Sequence, residues 1–215
     1  MKKKLLIRML NYVFGFLLMT MGVAISVKSN LGVSPVSSIP YTMTCVWGIE
    51  MGRATILFHI ALVLLQILLL RKAFRIKNLL QVPVGILFGS FTTFCNYLVT
   101  YLPDPNNMGI QLLMMIFSTV LIAFGIFLYV PADFVPLAGE GAMLAISQVT
   151  KKKFSSVKLA FDISMVIISL CTCLLLLHTL GSVGIGTILA AVLVGTEIKV
   201  IHRIWRAPTH ITNAP

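Results

Sequence analysis

The sequence has little charge and very little acid. Only 11% of its 215 residues are charged, and 17 lysines and arginines stand against 6 aspartates and glutamates. Because about 25% of the residues of a typical soluble domain are charged, this composition excludes an ordinary soluble fold. The four cysteines lie within apolar stretches, at spacings that predict neither a disulfide framework nor a metal site.

Sequence motifs for catalysis and nucleotide binding are also absent. The chain has no phosphate-binding GxxxxGK[ST], no metalloprotease HExxH and no nucleophile-bearing GxSxG. No nucleophile–base pair stands out either, so we expect no enzymatic activity, no cofactor and no metal. The net charge of +11 does not predict a nucleic-acid partner, because the basic residues gather beside apolar segments.

What the sequence does contain is long apolar segments. Hydrophobic residues make up 58% of the chain, and several runs are long enough to cross a hydrocarbon core about 30 Å thick. The start, MKKKLLIRML, mimics a signal peptide, but no small-x-small cleavage site stands out before Lys28, so we expect a retained first span. The lipid bilayer is therefore an expected partner. Six candidate spans cover residues 9–28, 54–71, 80–101, 109–130, 156–178 and 183–200.

Clusters of basic residues predict the topology. Cytoplasmic loops of membrane proteins carry an excess of lysine and arginine. Six spans bring every cluster to the cytoplasmic side only if the leftover segments 34–48 and 137–150 enter the membrane and return. Both termini are then cytoplasmic, and residues 207–215 form a short cytoplasmic tail. The clusters lie within residues 2–8, 71–77, 151–158 and 199–206.

The chain also repeats itself. A shift of 103 residues lays residues 14–65 on residues 117–168 without a gap, although identities are sparse. Each half, residues 1–104 and 105–206, then holds a span, a re-entrant segment and two more spans. Three spans per half is an odd number, so the halves would lie upside down relative to each other, as in many transporters. The predicted fold class is an all-α membrane protein with six transmembrane helices and two re-entrant half-helices in two inverted repeats.

The two re-entrant segments supply the first candidate site. In VSPVSSIPYTM, residues 33–43, Ser34 stands at an expected helix N-cap and Pro35 at the first helical position. Unpaired N–H groups of a helix that begins inside the membrane need partners that lipid does not offer. A polar cavity or a bound solute could supply them, and a plain polar loop at the surface is the alternative. The predicted substrate-binding residues are Ser34, Ser37, Ser38, Asn96, Gly139, Glu140 and Gly141.

Ionisable groups inside the membrane are the second signal, because charge in hydrocarbon is costly. Glu140 could act as a coupling group, or it could only stabilise the start of its helix. Asp162 could line a transport path, or it could form an ion pair with Lys158 four residues before it. His59 holds the matching place in the first half and could carry a proton or simply pack. Glu140, Asp162 and His59 are the candidate coupling or proton-binding residues.

Two stretches carry a resemblance to a known family. GVAISVKSNLGVSPVSSIPYTM and the late GIGTILAAVLVG, together with the half-length repeat, resemble the YczE/YitT group of small bacterial membrane proteins over most of the chain. The resemblance implies a bacterial cytoplasmic membrane and a transporter-like fold. It implies no substrate and no catalytic residues.

These patterns predict a secondary transporter of a small polar or anionic organic solute. Two positive helix ends that face one cavity favour an anion, and a proton or other ion is expected to couple its movement. A homodimer is compatible with the sequence. The main alternative is a non-transporting binding or accessory subunit of a larger membrane complex, and a membrane-embedded enzyme is the weakest alternative.

Overall fold

All secondary structure in the described part of the chain is helical. The computed structural model describes residues 2–205, with side chains from residue 4, and contains no strand in that range. The predicted all-α fold is confirmed, while the predicted tail at 207–215 lies outside the described residues. The helices are α1 (Lys2–Ser29), α2 (Pro35–Trp47), α3 (Met51–Leu70), α4 (Gln81–Thr100), α5 (Met108–Tyr129), α6 (Ala138–Thr150), α7 (Phe154–Leu177) and α8 (Ile185–Trp205).

Six of the helical segments are long and apolar enough to cross a membrane. Their outer surfaces carry large apolar side chains such as Leu68, Leu175 and Ile204, which are 71%, 75% and 69% exposed. Soluble proteins rarely expose apolar surface on this scale, so a multi-pass membrane protein is confirmed. The six segments are Lys4–Ser29, Met51–Ala73, Ile76–Thr100, Met108–Ala132, Phe154–Leu177 and Ile185–Trp205.

The two remaining helices, α2 and α6, are short. Each has 13 residues, which makes about 20 Å of helix at about 1.5 Å per residue. That is less than the roughly 30 Å thickness of a hydrocarbon core. Both are followed by a residue in the left-handed conformation, Gly48 with φ 66° and Lys151 with φ 57°.

Backbone features recur along the chain at the offset seen in the sequence. The bounds of α6 are those of α2 displaced by 103 residues, and α3 and α7 begin at positions separated by the same offset. The residues before α2 and α6, Ser34 and Leu137, have ψ angles of 151° and 152°. Upstream of them, Asn30 and Asp133 both take positive φ, at 60° and 50°. The local backbone around the two short helices therefore recurs at the 103-residue offset.

Two central helices, α1 and α5, cross closely at paired glycines. A Cβ built on Gly15 would lie 2.8 Å from the carbonyl oxygen of Gly125, and one on Gly125 would lie 2.6 Å from the carbonyl oxygen of Gly15. Small residues at such points let two membrane helices approach backbone to backbone. α4 packs on the side of α1, and α8 packs on the side of α5.

The short helices lie between the long helices of opposite halves. α2 packs chiefly against α7, and α6 packs chiefly against α3. α3 also packs along α4, whereas α7 and α8 hardly touch. This arrangement brings the start of each short helix into the interior of the bundle, where a shared apolar core contains Phe58, Ala138 and Phe161.

Candidate functional site

The first turns of the two short helices meet. A Cβ built on Gly139 of α6 would lie 3.6 Å from Cγ1 of Val36 in α2. Val36 packs against the same core cluster that contains Ala138 and Ala142 of α6. Gly139, Ala138 and Ala142 are buried and small, so α6 presents little side-chain bulk where the two helix starts approach each other.

Glu140 is fixed by a tyrosine from the end of α5. The hydroxyl of Tyr129 donates a short hydrogen bond to Oε2 of Glu140 and accepts the backbone N–H of Leu137 at 3.0 Å. The Tyr12 hydroxyl donates to the carbonyl oxygen of Val135 at 2.6 Å, and the rings of Tyr12 and Tyr129 lie 5.6 Å apart. The carboxyl group therefore lies at the positive end of α6, where helix geometry stabilises negative charge.

Two buried glutamines cover another side of the same helix start. Nε2 of Gln66 lies 2.8 Å from Oε1 of Gln81 and 3.3 Å from the carbonyl oxygen of Ala138. Oε1 of Gln66 is buried and has no hydrogen-bond partner. A Cβ on Gly141 would lie 2.5 Å from Nε2 of Gln81, so a larger residue there would have to displace this amide pair. Buried amides cost free energy unless they are bonded, which makes this a polar site within an apolar bundle.

His59 lies in an apolar part of the bundle. The side chain is 5% exposed, and its ring centroid lies 5.6 Å from that of Phe88. Gly85 gives the ring room, because a Cβ at that position would lie 2.9 Å from Nδ1 of His59. Nδ1 has no hydrogen-bond partner. The contacts of His59 are thus with Phe88 and Gly85, and the structure does not bring it into contact with Glu140.

Asp162 lies in an ion pair. Nζ of Lys158 lies 3.0 Å from its Oδ2, one helical turn away on α7. This is the structural pairing that the spacing offered as an alternative to a role in transport. Oδ1 of Asp162 is buried without a partner.

Of the three serines at the start of α2, one is buried against α7 and two are partly accessible. Ser38 is fully buried, donates to the carbonyl oxygens of Pro35 at 2.6 Å and Met165 at 3.3 Å, and receives a hydrogen bond from Ser169 at 2.9 Å. Ser38 therefore joins α2 to α7. Two predicted site residues remain half-buried at the helix start, Ser34 and Ser37.

Ser34 occupies the N-cap position of α2 but does not cap the helix. Its hydroxyl donates to the hydroxyl of Ser37 at 3.0 Å rather than accepting a backbone N–H. The corresponding residue before α6, Leu137, has no side chain that could cap. Both helix starts therefore leave N–H groups without a side-chain acceptor.

Asn96 stands apart from the other predicted site residues. Its Nδ2 donates to the carbonyl oxygen of Thr92 at 2.9 Å, within its own helix. The structure brings no other predicted site residue into hydrogen-bonding contact with it in the described chain. Asn96 lies on α4, whereas five other predicted residues lie at the N-terminal ends of the two short helices. These five are Ser34, Ser37, Gly139, Glu140 and Gly141.

The sequence analysis missed several polar residues that the fold places in the interior. These residues could have been found from the sequence, because a polar group within an apolar span is itself an indicator of function. Glu197 is an example: it lies in α8 and accepts a hydrogen bond of 3.0 Å from Thr119 of α5. The missed residues are Tyr12, Gln66, Gln81, Tyr129 and Glu197.

The arrangement brings together groups that exchange protons and groups that form hydrogen bonds. Glu140 can take up and release a proton against the Tyr129 hydroxyl, and the serine hydroxyls and helix N–H groups can hydrogen-bond a ligand. Among the described residues, no three histidine, cysteine, aspartate or glutamate side chains lie close enough to hold a metal ion.

Comparison with known proteins gives a family and a relative. A family of unknown function, DUF6198, matches residues 6–203. An uncharacterised membrane protein of Bacillus subtilis (strain 168), YczE, is 25% identical over 200 residues, which cover 93% of this chain and 87% of the relative. The resemblance to the YczE-like group is confirmed by these matches. No solved structure matches the chain.

Proposed function

The chain belongs to DUF6198, a family of unknown function, and on that premise we propose that it is a secondary transporter of a small polar or anionic organic solute. The site lies between the N-termini of α2 and α6, near the midplane of the bacterial cytoplasmic membrane. One observation carries the proposal: the first turns of two helices too short to span the membrane meet inside the bundle, at Val36 and Gly139. Helix starts that face each other at the midplane are the substrate sites of many secondary transporters.

An inverted repeat is the architecture that we propose around this site. The exchange of short helices supports it, because α2 of the first half packs on α7 and α6 of the second half packs on α3. The contact of α1 with α4 also has its counterpart in the contact of α5 with α8. Both patterns are expected when a two-fold axis in the membrane plane relates the halves.

The basic clusters orient the proposed fold. The turns around residues 71–77 and 151–153 carry lysines and arginines, which favour the cytoplasmic side. With six spans and two re-entrant helices, α1 begins and α8 ends on that side. The starts of α2 and α6 then lie within the membrane, with α2 running outward and α6 running inward.

Glu140 is the group that we propose for proton coupling. Two helix N-termini attract an anion, but an ionised Glu140 would repel it from the same place. Solute and proton binding would therefore favour each other, with the Tyr129 hydroxyl adjusting between the two states of the carboxyl. Ser34 and Ser37 would donate hydrogen bonds to the solute, and Gly139 and Gly141 would keep the helix start accessible.

The test uses purified full-length protein in liposomes that contain a pH-sensitive dye. A panel of carboxylates, sulfonates, phosphate esters, neutral polar solutes and amines is added outside. At least one anionic or neutral polar solute should move with a change in internal pH, and Glu140→Gln should abolish the pH change. Ser37→Ala removes a hydroxyl that is proposed to bind the solute. Ser90→Ala is its matched control, because Ser90 is an exposed hydroxyl bonded only within α4.

Two results would count against the proposal. If no solute in the panel moves unaided but movement appears with a co-purified membrane partner, the protein is an accessory subunit. If only amines move, and Glu140→Gln stops them, the site binds cations rather than a polar or anionic solute.

A further inference from the structure

A polar cavity lies outside the proposed transport site. It has a volume of about 630 Å³ and is formed between the connection from α3 to α4 and the last turns of α6. Two basic side chains and two side-chain amides face it, together with three apolar residues. The polar lining residues are Lys72, Arg75, Asn78 and Gln148, and the apolar ones are Leu70, Ala73 and Phe74.

The backbone around the cavity is held in a defined shape. The chain turns sharply after α3, at Arg71 with φ 45° and ψ −113°. The N–H of Phe74 then donates to the carbonyl oxygen of Arg71 at 3.1 Å, and that of Asn78 donates to the carbonyl oxygen of Arg75 at 2.8 Å. Phe74 packs against the apolar core between α3, α6 and α7. Lys72 and Arg75 therefore lie in the chain on either side of Phe74, which is held against the core.

The positive charge of the cavity is not compensated by the protein. Lys72 and Arg75 form no ion pair with any side-chain carboxylate of the described chain. All six acidic side chains of the sequence lie within the described part, and each has a contact elsewhere. Glu50 caps α3, Asp104 pairs with Lys28, Asp133 with Arg8 and Asp162 with Lys158, while Glu140 and Glu197 bind hydroxyl groups.

We propose that this cavity binds a phosphate-bearing anion. The planar guanidinium of Arg75 can hold two phosphate oxygens at once, and the Lys72 ammonium adds a second charge. The amides of Asn78 and Gln148 can donate to the remaining oxygens. The carbonyl end of α6 weakens binding, but its partial charge falls off within one turn and is smaller than the two full charges.

The bound anion would join two parts of the bundle. Gln148 belongs to the last turns of α6, and Lys72 and Arg75 belong to the connection between α3 and α4. An anion held by all three would restrain α6 relative to α3. The phosphate can come from the headgroup of an anionic lipid or from a soluble phosphate ester, since both present the same oxygens.

The experiment measures binding of three probes to the purified full-length protein. Inorganic phosphate and glycerol 3-phosphate are titrated in detergent, and retention of phosphatidylglycerol against phosphatidylcholine is measured by native mass spectrometry. Saturable binding of the soluble esters identifies a free phosphate compound, whereas retention of phosphatidylglycerol alone identifies a headgroup. Either result supports the site.

Matched variants separate the cavity from general basic charge. Arg75→Gln and Lys72→Gln should each weaken binding by about tenfold, the order expected when one charge-assisted hydrogen bond is lost. Lys77→Gln removes the same charge from the same connection without altering the cavity lining, and should change binding by less than about twofold. Thermal melts of all three variants should match the parent, because these side chains are exposed. Equal weakening by Lys77→Gln, or no weakening by Arg75→Gln, would overturn the proposal.

Discussion

The two halves share the bounds of their short helices but differ in how their last two long helices pack. In the first half, α3 and α4 cross at Gly52 and Gly89, and a Cβ on Gly89 would lie 2.7 Å from the carbonyl oxygen of Gly52. Thr93 of α4 also donates to Glu50, the residue that caps α3, at 3.0 Å. In the second half, α7 and α8 hardly touch, and no atom lies within 4 Å of a Cβ built on Gly195.

The last two long helices are in close contact in the first half, which we call closed. The corresponding helices are apart in the second half, which we call open. α8 is held mainly by α5, and α7 is held mainly by α2. In a transporter made of two related halves, the halves exchange such arrangements during the cycle. The proposed function therefore implies a second state in which α7 and α8 pack together and α3 and α4 separate.

The largest expected effect tests whether the halves are inverted. Ile49 and Lys152 occupy the turns after α2 and α6, 103 residues apart. In a background without the four native cysteines, a cysteine at Ile49 should react with an impermeant reagent only from outside, and one at Lys152 only from the cytoplasm. Cysteines at Asn106 and Ala73 serve as outside and cytoplasmic references. Labelling of positions 49 and 152 from the same side would contradict the inverted repeat.

The next effect tests the implied second state. Gly195→Leu adds a side chain where nothing lies within 4 Å, so the structure described here should tolerate it and thermal stability should stay unchanged. If α7 and α8 close during the cycle, the same side chain should block closure and abolish solute movement in liposomes. Val200→Leu is the control and should remain active, because Val200 is exposed but lies five residues from Gly195 and so on another face of α8. Full activity of Gly195→Leu would show that α7 and α8 do not close.

A stability comparison addresses the closed half directly. In Gly52→Ala, the new methyl group would overlap Oγ1 of Thr93 and the carbonyl oxygen of Gly89. The carbonyl oxygen belongs to the backbone of α4 and cannot rotate away. Overpacking of this kind costs about 1–3 kcal/mol. Gly195→Ala meets no neighbour and should leave the free energy of unfolding unchanged or raise it by up to about 1 kcal/mol, because alanine favours a helix over glycine. Melting both variants in the same detergent measures the difference, and equal stabilities would mean that the α3–α4 crossing is loose.

The fold could be predicted from sequence further than the site could. Apolar segments located the six long helices, and the two leftover apolar segments, 34–48 and 137–150, lie close to the observed bounds of the short helices. The polar interior was harder, because hydrogen bonds between distant helices leave no periodic signal. Gln66 and Gln81 lie on different helices, α3 and α4, and only the fold brings their amides together beside Gly141.

Tyr129 distinguishes the polar start of α6 from the start of α2. Tyr129→Phe removes the hydroxyl that accepts the Leu137 N–H and donates to Glu140, so two buried polar groups lose a partner. The free energy of unfolding should fall by about 1–3 kcal/mol. Tyr97→Phe is the control, because its exposed hydroxyl bonds only to Tyr101, and it should cost less than about 0.5 kcal/mol. A stable Tyr129→Phe protein would mean that Glu140 finds other donors.

The smallest expected effect concerns Ser169, which lies 103 residues after Gln66 in the repeat. Each side chain reaches the first turn of the opposite short helix, Gln66 at Ala138 and Ser169 at Ser38. Ser169→Ala removes one hydrogen bond, but Ser38 still donates to the Pro35 carbonyl, so the cost should be about 0.5–1.5 kcal/mol.

Gln66→Met keeps the length of the side chain and removes its amide, and it should cost more than Ser169→Ala. Oε1 of Gln81 and the carbonyl oxygen of Ala138 both lose a donor, while the unpartnered Oε1 of Gln66 disappears. The stranded Oε1 of Gln81 costs about 1–3 kcal/mol, the Ala138 carbonyl oxygen keeps its donor within α6, and removing an unsatisfied atom returns part of the cost. Chemical denaturation of both variants in one detergent gives the two values. A smaller loss for Gln66→Met than for Ser169→Ala would mean that the amide pair strains the start of α6, and that the α2–α7 contact is the stronger of the two.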